Sequence, residues 1–125
     1  MTSNAAAVAV LALLLAPAVA WADAAEVQDG QAQFKQICAT CHTNEPSKNK
    51  IGPTLFGLIG RRSGSAPGFS YSDAMRNAGV VWNEQTLDKY LADPKAFVPG
   101  NKMPYLGVKK PEARKDIIAY LSTLR

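Results

Sequence analysis

Apolar positions divide the chain into stretches of different kinds. Residues 5–22 form a continuous Ala/Val/Leu-rich run that contains Pro17 and no charge. Residues 25–37 change to a helical pattern, with Val27, Phe34 and Ile37 recurring at spacings of seven and three. Gly30 lies among them. An isolated Gly in a helix costs about 1 kcal/mol relative to Ala, which is tolerable where a second helix must approach closely. Periodicity is then lost. Residues 43–51 are polar, and Gly52, Pro53, Gly57 and Gly60 break any long helix after them. The loop continues through Gly64, Pro67 and Gly68 to Tyr71.

Helical spacing returns beyond that point. Ser72 or Asp73 can cap a short helix to about Ala78, ended by Gly79. Asn83 can cap a helix over 84–92, with Leu87, Tyr90 and Leu91 on one face. Asp93-Pro94 starts a further turn, because a cap followed by proline suits a helix start. Pro99 and Pro104 bracket a loop. Pro111 can begin a last helix carrying Ile117, Ile118, Tyr120, Leu121 and Leu124. No stretch alternates as a strand of any length, and no segment repeats.

Length and composition narrow this picture. The 125 residues suggest one domain. Long irregular stretches, rich in the chain's 17 Gly and Pro, normally argue against a compact domain. A large apolar cofactor would resolve the conflict by giving the loops something to pack against. The net charge of +4 and a sequence pI near 9.2 imply an acidic partner surface. No helix-turn-helix, zinc finger or aromatic RNA-binding motif supports nucleic acid as that partner.

Cys38-Ala39-Thr40-Cys41-His42 supplies chemistry for such a cofactor. It reads C-x-x-C-H, the attachment signature of a c-type haem. Two thiols three positions apart can each form a thioether to one vinyl group of the same macrocycle, and the adjacent His can bind the iron. The alternatives are a thiol redox pair, a zinc site and a plain disulfide. The first calls for a strand and a βαβ context, whereas the preceding segment reads as helix. The second needs about four ligands, and the chain offers two Cys and one His. A disulfide suits an exported protein. Outside the first 22 residues, Met75 and Met103 are available as the opposite iron ligand. Met75 falls in a predicted helix and also reads as core filler. Met103 lies in a loop stiffened by prolines, which favours it as a fixed sulfur donor.

The apolar run reads as an exported leader. Ala20-Trp21-Ala22 fits a small-x-small cleavage pattern, which would make residues 1–22 a signal peptide and residues 23–125 the mature domain. Ala18-Val19-Ala20 offers a second site. Met1-Thr2-Ser3-Asn4 lacks the usual Lys or Arg, and the run is just long enough for an uncleaved anchor. Every charged side chain lies beyond Ala22, so the mature chain keeps the +4.

Together these motifs resemble the class I c-type cytochromes, in the group of mitochondrial cytochrome c and bacterial cytochrome c2. The resemblance runs through Gly30/Phe34, Cys38 to His42, Gly52-Pro53-Thr54-Leu55, Gly60-Arg61 and the residues from Gly68 to Ala74. It continues through Trp82, Thr86-Leu87, Tyr90-Leu91, Asp93-Pro94-Lys95, Pro99 to Met103, and Ile118-Ala119-Tyr120-Leu121. It implies an all-α fold wrapped around haem c, in which the first and last helices cross at Gly30/Phe34 against Ile117/Leu121. By position, Cys38 and Cys41 would hold the haem, and His42 and Met103 would bind its iron. The Pro53 carbonyl would orient His42. Arg61, Tyr71, Ser72, Trp82 and Asn101 match positions that surround or bond the propionates, and Tyr90 matches a hydroxyl that approaches the methionine sulfur. Met75, Tyr105 and Asn101 depart from the usual Asn, Phe and Thr of mitochondrial members.

The function so implied is a soluble, monomeric, one-electron carrier of the periplasm, not an enzyme. Its partners would be redox proteins with acidic docking surfaces: a cytochrome bc1-type donor, a terminal oxidase, a reaction centre or a dehydrogenase. Lys48, Lys50, Lys95, Lys102, Lys109 and Lys110 match the family's basic rim. No stable membrane insertion is expected after cleavage. A fixed subunit of one dehydrogenase is the alternative. A haem peroxidase is disfavoured, because two filled axial positions leave none open for peroxide.

Overall fold

The structure is a computed structural model that describes residues 1–3, 6–9, 12 and 18–125, with side chains in the first helix from Ala24 onward. Residues 4, 5, 10, 11 and 13–17 of the expected leader, and the side chains of its Ala20-Trp21-Ala22 pattern, lie outside the described residues. Among the described residues, no helix is long and apolar enough to cross a membrane.

Local chemistry sets the helix starts. Asn83 accepts a hydrogen bond from the Thr86 amide at 2.9 Å, and Thr86 Oγ1 accepts one from the Asn83 amide at 2.8 Å. This reciprocal cap opens the helix Glu84–Ala92, here α3. Ser72 Oγ accepts from the Met75 amide and opens α2, Asp73–Asn77, which is followed by Gly79 at φ +67°. Asp93 accepts from the Ala96 amide at 3.2 Å and opens α4, Pro94–Phe97. Proline occupies the first turn of both α4 and α5, Pro111–Leu121.

The first helix, α1, runs Ala18–Gln33 and continues into a π-turn, Phe34–Cys38. The sequence pattern predicts plain helix to about Ile37; the extra residue of the π-turn appears instead where Cys38 must be delivered. The fold is all-α. An isolated antiparallel bridge between Arg62 and Val81 is too short to leave an alternating pattern in the sequence.

Helices α1 and α5 pack on each other more extensively than any other pair. A Cβ built on Gly30 would lie 1.9 Å from the Asp116 carbonyl oxygen and 2.9 Å from Tyr120 Cβ. The close approach expected at Gly30 is therefore present, with Asp116 and Tyr120 as its nearest neighbours. Phe34 stacks on Tyr120 at 5.3 Å between ring centres, and joins Ile117 and Leu121 in the buried core. That core extends through Leu58, Trp82, Leu87, Tyr90, Val98 and Val108, so α3 and the long loops share it with the crossing helices.

Candidate functional site

The chain turns sharply after the π-turn. The Ala39 amide donates to Phe34 O, five residues back, at 2.9 Å. The Cys41 and His42 amides both donate to Cys38 O, at 3.1 and 2.9 Å. The two thiols and the imidazole are thus carried on one tight turn. The thiols are free and half-buried, so the disulfide alternative is not realised.

A second turn holds the imidazole. The Gly52 amide donates to Cys41 O at 2.8 Å, and His42 Nδ1 lies 2.7 Å from Pro53 O. A carbonyl can only accept, so Nδ1 carries the proton and Nε2 keeps its lone pair. Burial pushes the His42 pKa below its ordinary value; the Pro53 carbonyl opposes the shift, and the charges of Arg61 and Lys50 add to it. The neutral imidazole is therefore the resting form. A Cβ on Gly52 would lie 2.3 Å from His42 Cε1 and 2.6 Å from Nδ1. Gly52 does not have a positive φ. Contact with the ring, not backbone freedom, is what requires glycine here. In the sequence Gly52 carries only the signal of a helix breaker, with no sign of this contact.

Across the cavity, the loop after α4 presents Met103. Asn101 Oδ1 accepts from the Met103 amide at 2.9 Å, and the Tyr90 hydroxyl donates to Met103 Sδ at 3.8 Å. Burial pushes the Tyr90 pKa up to about 12 and that of Cys38 up to about 11, so both groups keep their protons at neutral pH.

Between these turns lies a cavity of about 600 Å³. It is lined by every site residue expected from the sequence: Cys38, Cys41, His42, Pro53, Arg61, Tyr71, Ser72, Trp82, Tyr90, Asn101 and Met103. Leu55, Leu58, Leu91 and Val108 make much of the apolar wall, and Met75 lines it too. Trp82 is buried against Tyr90 at 5.0 Å. Several polar members also bond the protein's own backbone. Arg61 donates to Thr54 O at 2.7 Å and to Phe56 O at 2.5 Å. Tyr71 Oη accepts from the Ala66 amide at 3.0 Å, and Ser72 Oγ from the Met75 amide at 3.1 Å, which leaves each hydroxyl a proton to donate. Asn101 Nδ2 donates to Pro94 O and Val98 O, at 2.9 Å each.

Among the rim lysines, Lys48 is paired with Glu45 at 3.0 Å. Lys50 donates to Ala39 O, and Lys109 to Ala92 O and Leu106 O. Lys102 lines the cavity and reaches Ser70 O at 3.3 Å. Lys95 and Lys110 are exposed.

Residues 27–125 match the cytochrome c family. The chain belongs to that family. It is 52% identical over 95 residues to cytochrome c2 of Rhodomicrobium vannielii, covering 75% of each chain. It is 48% identical over 109 residues to cytochrome c2 of Blastochloris viridis, covering 86% of this chain and 85% of the relative. Its fold matches that of cytochrome cH from Methylobacterium extorquens with a TM-score of 0.73 and 43% identity, over 78% of this chain and 97% of that one. This cytochrome is an electron carrier of the cytochrome c/c2 group, not an enzyme, and it carries one covalent haem c.

The residues present fit that group. The cavity volume falls within the roughly 300–1,000 Å³ of ordinary cofactor sites. Its walls are largely apolar, and its donors are two free thiols, a neutral imidazole and a thioether. Among the described residues, no three His, Cys, Asp or Glu gather as a protein-only metal site.

Proposed function

We propose that this cytochrome is a periplasmic one-electron shuttle in which Cys38 and Cys41 would hold the haem by thioethers and His42 and Met103 would ligate its iron. The observation that carries this reading is the shared cavity, lined by both thiols, the imidazole whose Nδ1 is committed to Pro53, and the Met103 sulfur. When bound, haem c supplies an iron that gains and loses one electron. The protein's part is to hold both ligands in place and keep water out. Pro53 fixes the ring orientation of His42 and raises the basicity of Nε2. Tyr90, a neutral phenol, is a hydrogen-bond donor to Met103 Sδ. Imidazole and thioether are neutral donors, and a soft sulfur from Met103 would favour the less charged ferrous iron and so raise the potential. Trp82 and the Leu side chains exclude solvent, while the free protons on Tyr71 and Ser72, with Arg61, suit the propionates.

Residues 1–22 serve as a cleaved leader and residues 23–125 as the mature, monomeric domain, a reading that fits a family match beginning at residue 27. The basic rim docks acidic surfaces of a cytochrome bc1-type donor, an oxidase, a reaction centre or a dehydrogenase. Two measurements test the proposal. Acid-acetone treatment of protein purified from the periplasm should leave the colour on the chain, and intact mass should give residues 23–125 plus one haem. Colour in the solvent, or retention of residues 1–22, would count against attachment or processing respectively.

A further inference from the structure

We infer that Asn101 is a positioning residue that ties the Met103 backbone to α4 and so keeps the sulfur on the iron. The inference rests on the reading of Met103 as an axial ligand, and it concerns the part of the loop that the sequence assigned only to the propionates. The geometry is a three-point latch. Asn101 Oδ1 accepts from the Met103 amide at 2.9 Å, while Nδ2 donates to Pro94 O and Val98 O at 2.9 Å each. An amide nitrogen has two hydrogens, so both are spent inside the protein. The anchor is firm: Pro94 is among the most fully buried side chains, Val98 lies in the core, and α4 is capped by Asp93.

The latch acts on the backbone, and the Tyr90 hydroxyl acts on the sulfur of the same residue at 3.8 Å. Between them they fix both ends of the Met103 side chain. Without the Asn101 side chain, the segment after α4 keeps the backbone bonds from the Asn101 amide to Val98 O, at 3.2 Å, and from the Tyr105 amide to Met103 O, at 2.9 Å, with Lys102 on Ser70 O and Tyr90 on Met103 Sδ, but the Met103 amide loses its tie to α4. The fraction of molecules with the sulfur off the iron would then rise. A ligand that competes for that position reports this fraction directly, because its apparent affinity scales with the population of the open form.

The test titrates imidazole into the haem-loaded ferric protein and follows the weak long-wavelength sulfur-to-iron charge-transfer band. Asn101→Ala should bind imidazole about tenfold more tightly than the parent, as loss of a hydrogen-bonded tether implies. Asn101→Thr, whose hydroxyl can still accept from the Met103 amide, should fall between the two. If Asn101→Ala does not accumulate with haem, Asn101→Thr against the parent decides, with a several-fold gain expected. Asn83→Ala removes the remote α3 cap and serves as the control for general loss of stability; it should bind imidazole as the parent does. Parent-like affinity in the Asn101 variants, or an equal gain in Asn83→Ala, overturns the latch. A parent protein without the band, or a band that survives Met103→Ala, overturns the ligand reading instead.

Discussion

Replacing Gly30 by Ala tests the helix crossing on which the fold is built. The added Cβ would sit 1.9 Å from the Asp116 oxygen and 2.5 Å from its carbonyl carbon. Real Cβ contacts essentially never fall below 3.0 Å, so the Asp116 carbonyl must retreat by at least about 1.1 Å, from 1.9 to 3.0 Å. It is helix backbone, which cannot rotate away as a side-chain tip could. Two effects oppose each other. Ala gains about 1 kcal/mol of helix propensity over Gly, whereas overpacking costs about 1–3 kcal/mol. The helix shift also loosens Phe34 against Tyr120 and Ile117, so the loss should win, by up to about 2 kcal/mol. Thermal unfolding of the haem-loaded protein, followed by circular dichroism, should show a midpoint lowered by about 4–8 °C per kcal/mol. Gln31→Ala, exposed on the same helix, should stay within about 0.5 kcal/mol of the parent. A Gly30→Ala protein as stable as the parent, or more so, would mean that propensity alone decides and the crossing is not close.

Gly52→Ala should crowd the His42 ring, weaken its bond to Pro53 and shift the reduction potential; an unchanged potential in a redox titration would show that the ring is not held by this contact. Asp116 is held above its ordinary value by burial, with the Asp29 and Glu26 charges adding to this and Gln33 and Lys115 opposing it. The stability it contributes is present below its unfolded pKa and lost as pH rises through the raised folded value. Asp116→Asn should therefore lessen, by a small amount, the fall of the urea midpoint with rising pH across the carboxylate range; an undiminished slope would refute that assignment. Lys95→Glu or Lys102→Glu should slow electron transfer to an acidic partner at low salt more than Lys48→Glu, whose charge is already paired with Glu45. Equal effects at all three positions would contradict a rim focused on the cavity mouth.

Much of the fold was legible because it is written in short-range chemistry. Asn83, Ser72 and Asp93 cap the helices that their sequence positions predicted, and prolines open α4 and α5. Gly30 announced a close approach because glycine inside an apolar helical pattern is otherwise unfavourable. The π-turn was not legible: apolar spacings of seven and three at Val27, Phe34 and Ile37 suit an α-helix equally well. In the site, the C-x-x-C-H turn and the Pro-flanked Met103 were readable from residue type. The backbone work of Asn101 and Arg61 was not, because a polar side chain in a loop carries no periodic signal of which carbonyl it will meet. Gly52 was hidden for a related reason, since its partner is the ring of His42, ten residues earlier, and not a turn of its own.

The reading of His42 and Met103 as the two ligands is tested most directly by the long-wavelength charge-transfer band of the ferric protein. A soft, neutral sulfur on the iron gives this band and stabilises the ferrous state. The parent and Met75→Ala should both show it, with Met75→Ala losing only packing, about 2–5 kcal/mol at most for a fully buried methionine. Met103→Ala should lose the band and lower the reduction potential in the same sample. Loss of the band in Met75→Ala together with its survival in Met103→Ala would assign the sulfur to the wrong side of the sequence and contradict the account.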